Sequence, residues 1–327
     1  MTFIGIDVSH KQFDTAFLAG KGYQSSKFNN ELAGFQAFHA QLPWDAHCVM
    51  EATGPYYLRL ATYLHQAGIS VSVVNPLIIK RFSQMKLSRA KTDKADARLI
   101  ADYARLHQPV LWHPPQAFIS ELQQESSLLE QLIKQRTALG NHLHALGQQP
   151  HLSEKALQAL NEVLATLDEQ IDELENSIAA KSKQHCAPLL KVLLSIPGIG
   201  VKTATQLLII TQGFERFTSG KQLAAYIGLA PRLYESGTSV RGKAHISKLG
   251  MAQMRKLLYL CAWSAARCNQ ACRQLYQRLL QKGKAKKLAL VAVANKLLQQ
   301  AFAIATSLNP YQTPPTKENL EVYPKKA

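Results

Sequence analysis

The 327-residue chain is poor in cysteine, in long apolar runs and, toward its C-terminus, in acids. Cys48, Cys186, Cys261, Cys268 and Cys272 are odd in number and lack CxxC spacing, which argues against a disulfide framework. Cys261, Cys268 and Cys272 recur at spacings of seven and four on one expected helical face, but no nearby histidine completes a metal set. Buried structural thiols are therefore expected. No apolar run reaches the roughly 18 residues a membrane span needs. The opening MTFIGIDVSH lacks the basic region and cleavage site of a leader, so a cytoplasmic protein is expected, without a membrane partner. Residues 201–327 hold 20 Lys and Arg against only Glu215, Glu235, Glu318 and Glu321, so this part carries the whole net charge of +16. A solvated surface kept for solubility would mix signs, whereas a one-sign surface fits a polyanion, each neutralised phosphate releasing counterions.

What is present alternates. TFIGIDVS, FDTAFLAG and YQSSKFNN read as three strands, ELAGFQAFHAQLP as an amphipathic helix and HCVMEA as a fourth strand. GPYYLRLATYLHQAG reads as a second helix and ISVSVVN as a fifth strand stopped by Pro76. Three strands in hairpins followed by αβαβα predict a ribonuclease H type mixed sheet, although sugar-kinase and actin-like domains open similarly. Leu157, Leu160, Leu164, Leu167, Ile171, Leu174 and Ile178 then repeat as a coiled-coil seam. Leu129, Leu132, Leu139, Leu143 and Leu146 keep the same rhythm, broken by Arg136, and GQQPHLS at 147–153 supplies a turn. An antiparallel hairpin follows, either pairing with another subunit through its seam or serving as an intramolecular strut. A third, helical region starts near residue 187, and the Pro- and Lys-rich end NPYQTPPTKENLEVYPKKA reads as disordered.

Three constellations carry chemistry. Asp7 in GID and Glu51 in HCVME each sit at the end of an apolar strand, where neither has a packing role. Asp93 and Asp96, in KTDKADARLI, lie at i and i+3 on one helical face, though Asp93 after Thr92 also reads as part of a helix cap. Oxygen donors of this kind suit Mg²⁺ and metal-assisted phosphoryl transfer. Second, SIPGIGVKTATQLL at 195–208 resembles a helix-hairpin-helix turn, in which Gly198 and Gly200 allow close approach of a DNA phosphate and Lys202 adds charge. A tight turn without a ligand reads the same. Third, YESGTSVRGKAHISKLG at 234–250 offers Ser236, Thr238 and Ser239 as hydroxyl nucleophiles among Arg232, Arg241, Lys243 and Lys248, with His245 nearby. Taken alone, these residues fit an ordinary phosphate-binding loop better than a nucleophile.

GID at 5–7, EATGPY at 51–56, NP at 75–76, KTDKADA at 91–97, PGIGVKTA at 197–204 and the run from FTSGKQLAAYIGLAP to HISKLG together resemble the DEDD family of insertion-sequence transposases. That family includes Piv-type DNA invertases and bridge-RNA-guided recombinases. The resemblance implies a RuvC-like ribonuclease H domain over residues 1–112, a coiled coil for oligomerisation over 113–186, a C-terminal transposase domain over 187–308 and a disordered tail over 309–327. It assigns Asp7, Glu51, Asp93 and Asp96 as the Mg²⁺-holding tetrad and Ser236, before Gly237, as a nucleophile that joins covalently to DNA, with Thr238 and Ser239 as second choices. Lys91 and Lys94 become phosphate contacts. The partners implied are donor and target DNA, a structured guide RNA and further copies of the chain, as a dimer or a tetramer in which the two half-sites come from different protomers, in the bacterial cytoplasm or nucleoid. A metal-only, junction-resolving type of nuclease and a non-catalytic nucleic-acid binder are the alternatives.

Overall fold

Period-two alternation builds the sheet. Strand β1 (Thr2–Val8) buries Ile4, Ile6 and Val8 on one face and turns Gly5 and Asp7 to the other. In the computed structural model, which describes residues 1–20, 22–87, 92–232, 235–236, 240–241, 245–246 and 250–313, β1 is the middle of five strands. β2 (Gln12–Ala19) runs antiparallel to it, and β3 (Gly22–Asn29) antiparallel to β2. β4 (Ala46–Glu51) and β5 (Ser70–Val74) continue the other side in parallel, giving the order β3-β2-β1-β4-β5. This mixed sheet belongs to the first of two compact units, Met1–Pro114 and Pro115–Ala327.

Helices cover both faces of the sheet. α1 (Leu32–His39) and α2 (Tyr57–Gln66) bring Phe35, Phe38, Leu60 and Leu64 against Ile4, Ile6 and Phe13. Fully buried side chains of this size contribute about 1.5–3 kcal/mol each. On the opposite face, α3 (Pro76–Met85) and α4 (Asp93–His107) close a smaller core of Val49, Val74, Ile79, Ile100 and Ala104. The sequence reading took Asn75-Pro76 as a strand stop and missed α3. The same dipeptide starts a helix: the Asn75 side chain accepts from the Leu77 N–H at 2.8 Å, and Pro76 fills the first helical position, where no N–H is needed.

In the second unit, α5 (Ala117–Leu146) and α6 (Glu154–Leu194) form an antiparallel hairpin. The seam from Leu157 to Leu174 is half-buried between the two helices, and Ile178 is buried with Leu122, Leu129 and Ile209. Arg136, which breaks the leucine rhythm, reaches Asp168 through two hydrogen bonds of 2.9 and 3.4 Å, and Lys181 bonds to both Glu121 and Glu125 at 2.7 Å. α6 kinks at Cys186 (φ −129°, ψ 28°), two residues before Pro188, which lacks the N–H that would continue the helix.

Helices α7 (Val201–Thr211), α8 (Gly220–Ile227), α9 (Ala252–Cys268), α10 (Gln270–Gln281) and α11 (Lys286–Ser307) pack around one core. By length and composition α11 would suffice to cross a membrane. Its Leu290, Val293, Ala294, Leu297, Leu298 and Ala301 instead bury a stripe in that core, at the spacing of an amphipathic helix.

Two expectations need correction. Cys261 lies in the middle of α9 and Cys268 ends it, but Asn269 breaks the helix and caps α10, accepting from the Cys272 N–H at 3.2 Å, so the three thiols share no helical face. Cys272, Cys48 and Cys186 are buried, Cys261 is partly buried and Cys268 is exposed. Within the stretch expected as a disordered tail, Tyr311 is held: its N–H donates to Ser195 Oγ at 2.8 Å, and its hydroxyl donates to Asn269 Oδ1 at 3.1 Å. Residues 314–327 lie outside the described residues.

Candidate active site

A missing side chain positions the acids. A Cβ on Gly5 would stand 2.1 Å from the Ala97 carbonyl oxygen and 2.3 Å from the Ala101 nitrogen, so the α4 backbone lies directly on β1 where GID has its glycine. Asp7 is the next residue on that face. In the parallel register Ile6 pairs with Met50, which sets Asp7 and Glu51 side by side at the ends of their strands. α4 begins beyond those ends, capped by Thr92, whose Oγ1 accepts from the Ala95 N–H at 3.2 Å. Its first turn carries exposed Asp93 and half-buried Asp96, where the helix N-terminus favours negative charge.

Asp7 feels the other three acids. The Asp7 carboxyl is raised to about 6, first by burial and then by repulsion from Asp96, Asp93, Glu51 and Asp14. Two further acids of the unit each meet a cation and a hydroxyl donor: Asp45 the N-terminal amine and Thr2, Asp102 Lys86 and Tyr23. The Tyr23 hydroxyl is accordingly pushed up to about 12 by burial and by its bond to Asp102. Among the described residues, no three or more His, Cys, Asp or Glu side chains are already gathered closely enough to hold a metal ion. The donor set, all carboxylate oxygen, nevertheless has the chemistry that Mg²⁺ prefers.

Asp14 was missed by sequence reasoning. It lies directly across from Asp7 on β2 and is bridged to Lys27 at 3.3 Å. Only the hairpin register reveals it, because which residue of β2 faces Asp7 depends on how the two strands pair. Lys94 is exposed in the first turn of α4, and Lys91 lies outside the described residues.

The expected hydroxyl loop contains short strands. β6 (Pro231–Arg232) pairs with β9 (His245–Ile246), and β7 (Glu235–Ser236) pairs with β8 (Val240–Arg241), all antiparallel. Ser236 opposes Val240, and Arg232 opposes His245. Gly237, Thr238, Ser239, Lys243 and Lys248 lie outside the described residues. In the PGIG turn, Gly198 (φ +104°) is packed against α9, since a Cβ there would meet that of Ala265 at 2.8 Å. Gly200 instead faces open space at the N-terminus of α7, and Lys202 beside it is 3.7 Å from Glu175.

A DEDD-type transposase family model matches residues 4–152, and a model described as the transposase IS116/IS110/IS902 family matches residues 190–277. The pilin gene-inverting protein of Moraxella lacunata is 32% identical over 329 residues, covering 95% of this chain and 97% of its own. The chain belongs to the IS110 family of transposases and DNA invertases. The Moraxella bovis pilin gene-inverting protein is 33% identical over 325 residues, covering 95% of this chain and 97% of its own. The transposase for insertion sequence element IS1111A of Coxiella burnetii is 26% identical over 296 residues, covering 81% and 79%. This IS110-family member is therefore an enzyme of DNA recombination or transposition that acts on DNA. The first model spans all four acids, and the second spans the PGIG turn and the strands around Ser236.

Proposed function

We propose that this IS110-family enzyme cuts and rejoins DNA through a covalent serine–phosphate linkage, with Asp7, Glu51, Asp93 and Asp96 holding Mg²⁺ and Ser236 as the nucleophile. The observation that carries the reading is the repulsion of Asp7 by three acids from a second strand and a helix. A cation bound there would relieve that repulsion. Ordinary side-chain rotation would have to close the carboxylates on the ion. When bound there, Mg²⁺ would supply charge stabilisation to the phosphate oxygens.

In the reaction, Ser236 Oγ forms a bond to phosphorus as the bond to the leaving deoxyribose oxygen breaks. The serine proton passes to a base, and the leaving oxygen takes up a proton. One phosphodiester replaces another, so no ATP is required. Arg232, Arg241, Lys243 and Lys248 stabilise the added charge at phosphorus. Lys91, Lys94, Lys202 and the α7 N-terminus at Gly198 and Gly200 contact the DNA backbone. The same chemistry serves inversion and transposition.

The strand order, with β2 antiparallel between β1 and β3, supports a RuvC-like ribonuclease H domain at 1–112, while the α5–α6 hairpin supports a coiled coil at 113–186 and the helical core beyond it a transposase domain at 187–308. The one-sign charge of residues 201–327 exceeds what a single scissile phosphate needs and supports a structured guide RNA as a further partner. Assembly is as a dimer or tetramer. The test is a denaturing gel of protein incubated with substrate DNA: a covalent adduct is expected, and its persistence in Ser236→Ala would defeat the serine assignment. A metal-only nuclease, favoured by the acids lying together in one unit, predicts cleavage with no adduct at all. Sequencing RNA that co-purifies with the chain tests the guide.

A further inference from the structure

Two turns flank the ends of the strands that carry Asp7 and Glu51. After Asp7, residues Ser9, His10 and Lys11 form the tight link from β1 to β2, closed by the Ser9 N–H and Oγ donating to the Gln12 carbonyl at 2.9 and 2.7 Å. After Glu51, the chain turns at Thr53 and Gly54 (φ +57°) into α2, with Thr53 donating to Glu51 through its N–H at 2.8 Å and its Oγ1 at 3.2 Å. One amide joins the two turns: Asn30 Nδ2 donates to the Ser9 carbonyl at 3.0 Å and to the Tyr56 carbonyl at 3.2 Å.

The aromatic pair Tyr56-Tyr57 divides there. Tyr57 packs on the buried core of the sheet, while Tyr56 stays 42% exposed. The His10 ring meets Tyr56 nearly edge-on, with centroids 5.4 Å apart and planes at 65°. Gly54 supplies the positive φ of the turn, and its Cα lies close beside the Tyr56 ring. His10 and Lys11 are both exposed. A large exposed ring braced by an imidazole has no role in the core. Ser9 lies two residues from Asp7, at most about 7 Å of extended chain. The tied turns would thus be within reach of a base that neighbours a phosphate at the carboxylates.

We propose that Tyr56, braced by His10, is a stacking site for a nucleobase beside the phosphate held at the carboxylates. Lys11 contacts the adjoining backbone. The site takes any base, because every base offers a π-face, and so positions the strand without reading its sequence. The proposal rests on the carboxylate cluster being the reaction centre.

The test uses the full chain in metal-free buffer and single-stranded oligo(dT) carrying one 2-aminopurine. The wild type should change the fluorescence of the probe. Tyr56→Phe should keep that change, whereas Tyr56→Leu, which retains apolar bulk, should lose it and bind about tenfold more weakly. The salt dependence of Tyr56→Leu should match the wild type, since no phosphate contact is removed, while Lys11→Ala should make it shallower. His10→Ala should reduce the fluorescence change in part. A silent wild type, or a Tyr56→Leu protein that alters the probe fully and binds within about twofold of wild type, overturns the stacking site. Asp7→Asn separates the two readings. Retained fluorescence change with lost strand exchange supports both, and retained exchange defeats the reaction centre on which the proposal rests.

Discussion

The two units place their chemistry in opposite settings. The N-terminal unit holds its acids at the end of a sheet under a closely packed helix, where burial and mutual repulsion raise Asp7 to about 6. The C-terminal unit carries its hydroxyl and its bases on two-residue strands between α8 and α9, within a segment almost free of acids. The cation binding proposed above needs carboxylates on a fixed frame, and the Gly5 contact fixes the backbone of β1 against α4. The nucleophile and phosphate contacts proposed above need positive charge, and Arg232 and Arg241 lie on the short strands beside Ser236 in sequence. A chain that divides the work this way should respond differently to substitution on each side.

The largest effect is expected at the ribbon. Ser236→Ala should abolish the covalent adduct and lower strand exchange by about 10⁴-fold or more, as loss of a nucleophile does elsewhere, measured by recombination of a marked plasmid. Asp7→Asn or Glu51→Gln should lower exchange by at least about a hundredfold while leaving DNA binding by gel shift intact. Equal loss of binding would mean the acids serve the fold instead.

Packing offers a sharper contrast. Gly5→Ala places a Cβ 2.1 Å from a helix carbonyl and should lower the melting temperature by several degrees, at a cost of about 1–3 kcal/mol. Gly200→Ala, with nothing within 4 Å, should melt like the wild type yet weaken DNA binding.

The pH response is smaller. A carboxyl whose folded pKa is raised binds its proton more tightly in the folded state than in the unfolded chain. Stability from Asp7 is therefore present below about pH 4 and declines as pH rises to about 6. Partial exposure screens this to about 1 kcal/mol. Melting followed from pH 4 to 7 should show the decline in the wild type and not in Asp7→Asn, and added Mg²⁺ should reverse it at pH 7. Least affected should be Arg136→Ala, whose ion pair with Asp168 is exposed on both sides and should leave the melting temperature unchanged.

Much of this was legible in sequence because local patterns carry it. Short β-like runs marked all five strands, and the leucine repeat marked the α5–α6 hairpin. Asp7, Glu51, Asp93 and Asp96 were visible as acids with no packing role. Other features escaped for physical reasons. α3 was hidden because Asn-Pro ends a strand as readily as it starts a helix. The break at Asn269 was hidden because its cap depends on one side-chain bond. The ribbon was hidden because two-residue strands leave no periodicity.

By itself the sequence determined the kinds of residue available, the elements they form and the uneven charge, since propensity, period and composition are local. Only the tertiary structure decided which residues meet. It set Asp14 across from Asp7, laid α4 on Gly5 so that its first turn stands at the ends of β1 and β4, and tied Ser9 to Tyr56 through Asn30. Those meetings depend on strand register and on backbone contact between distant segments, and no short window of sequence encodes either.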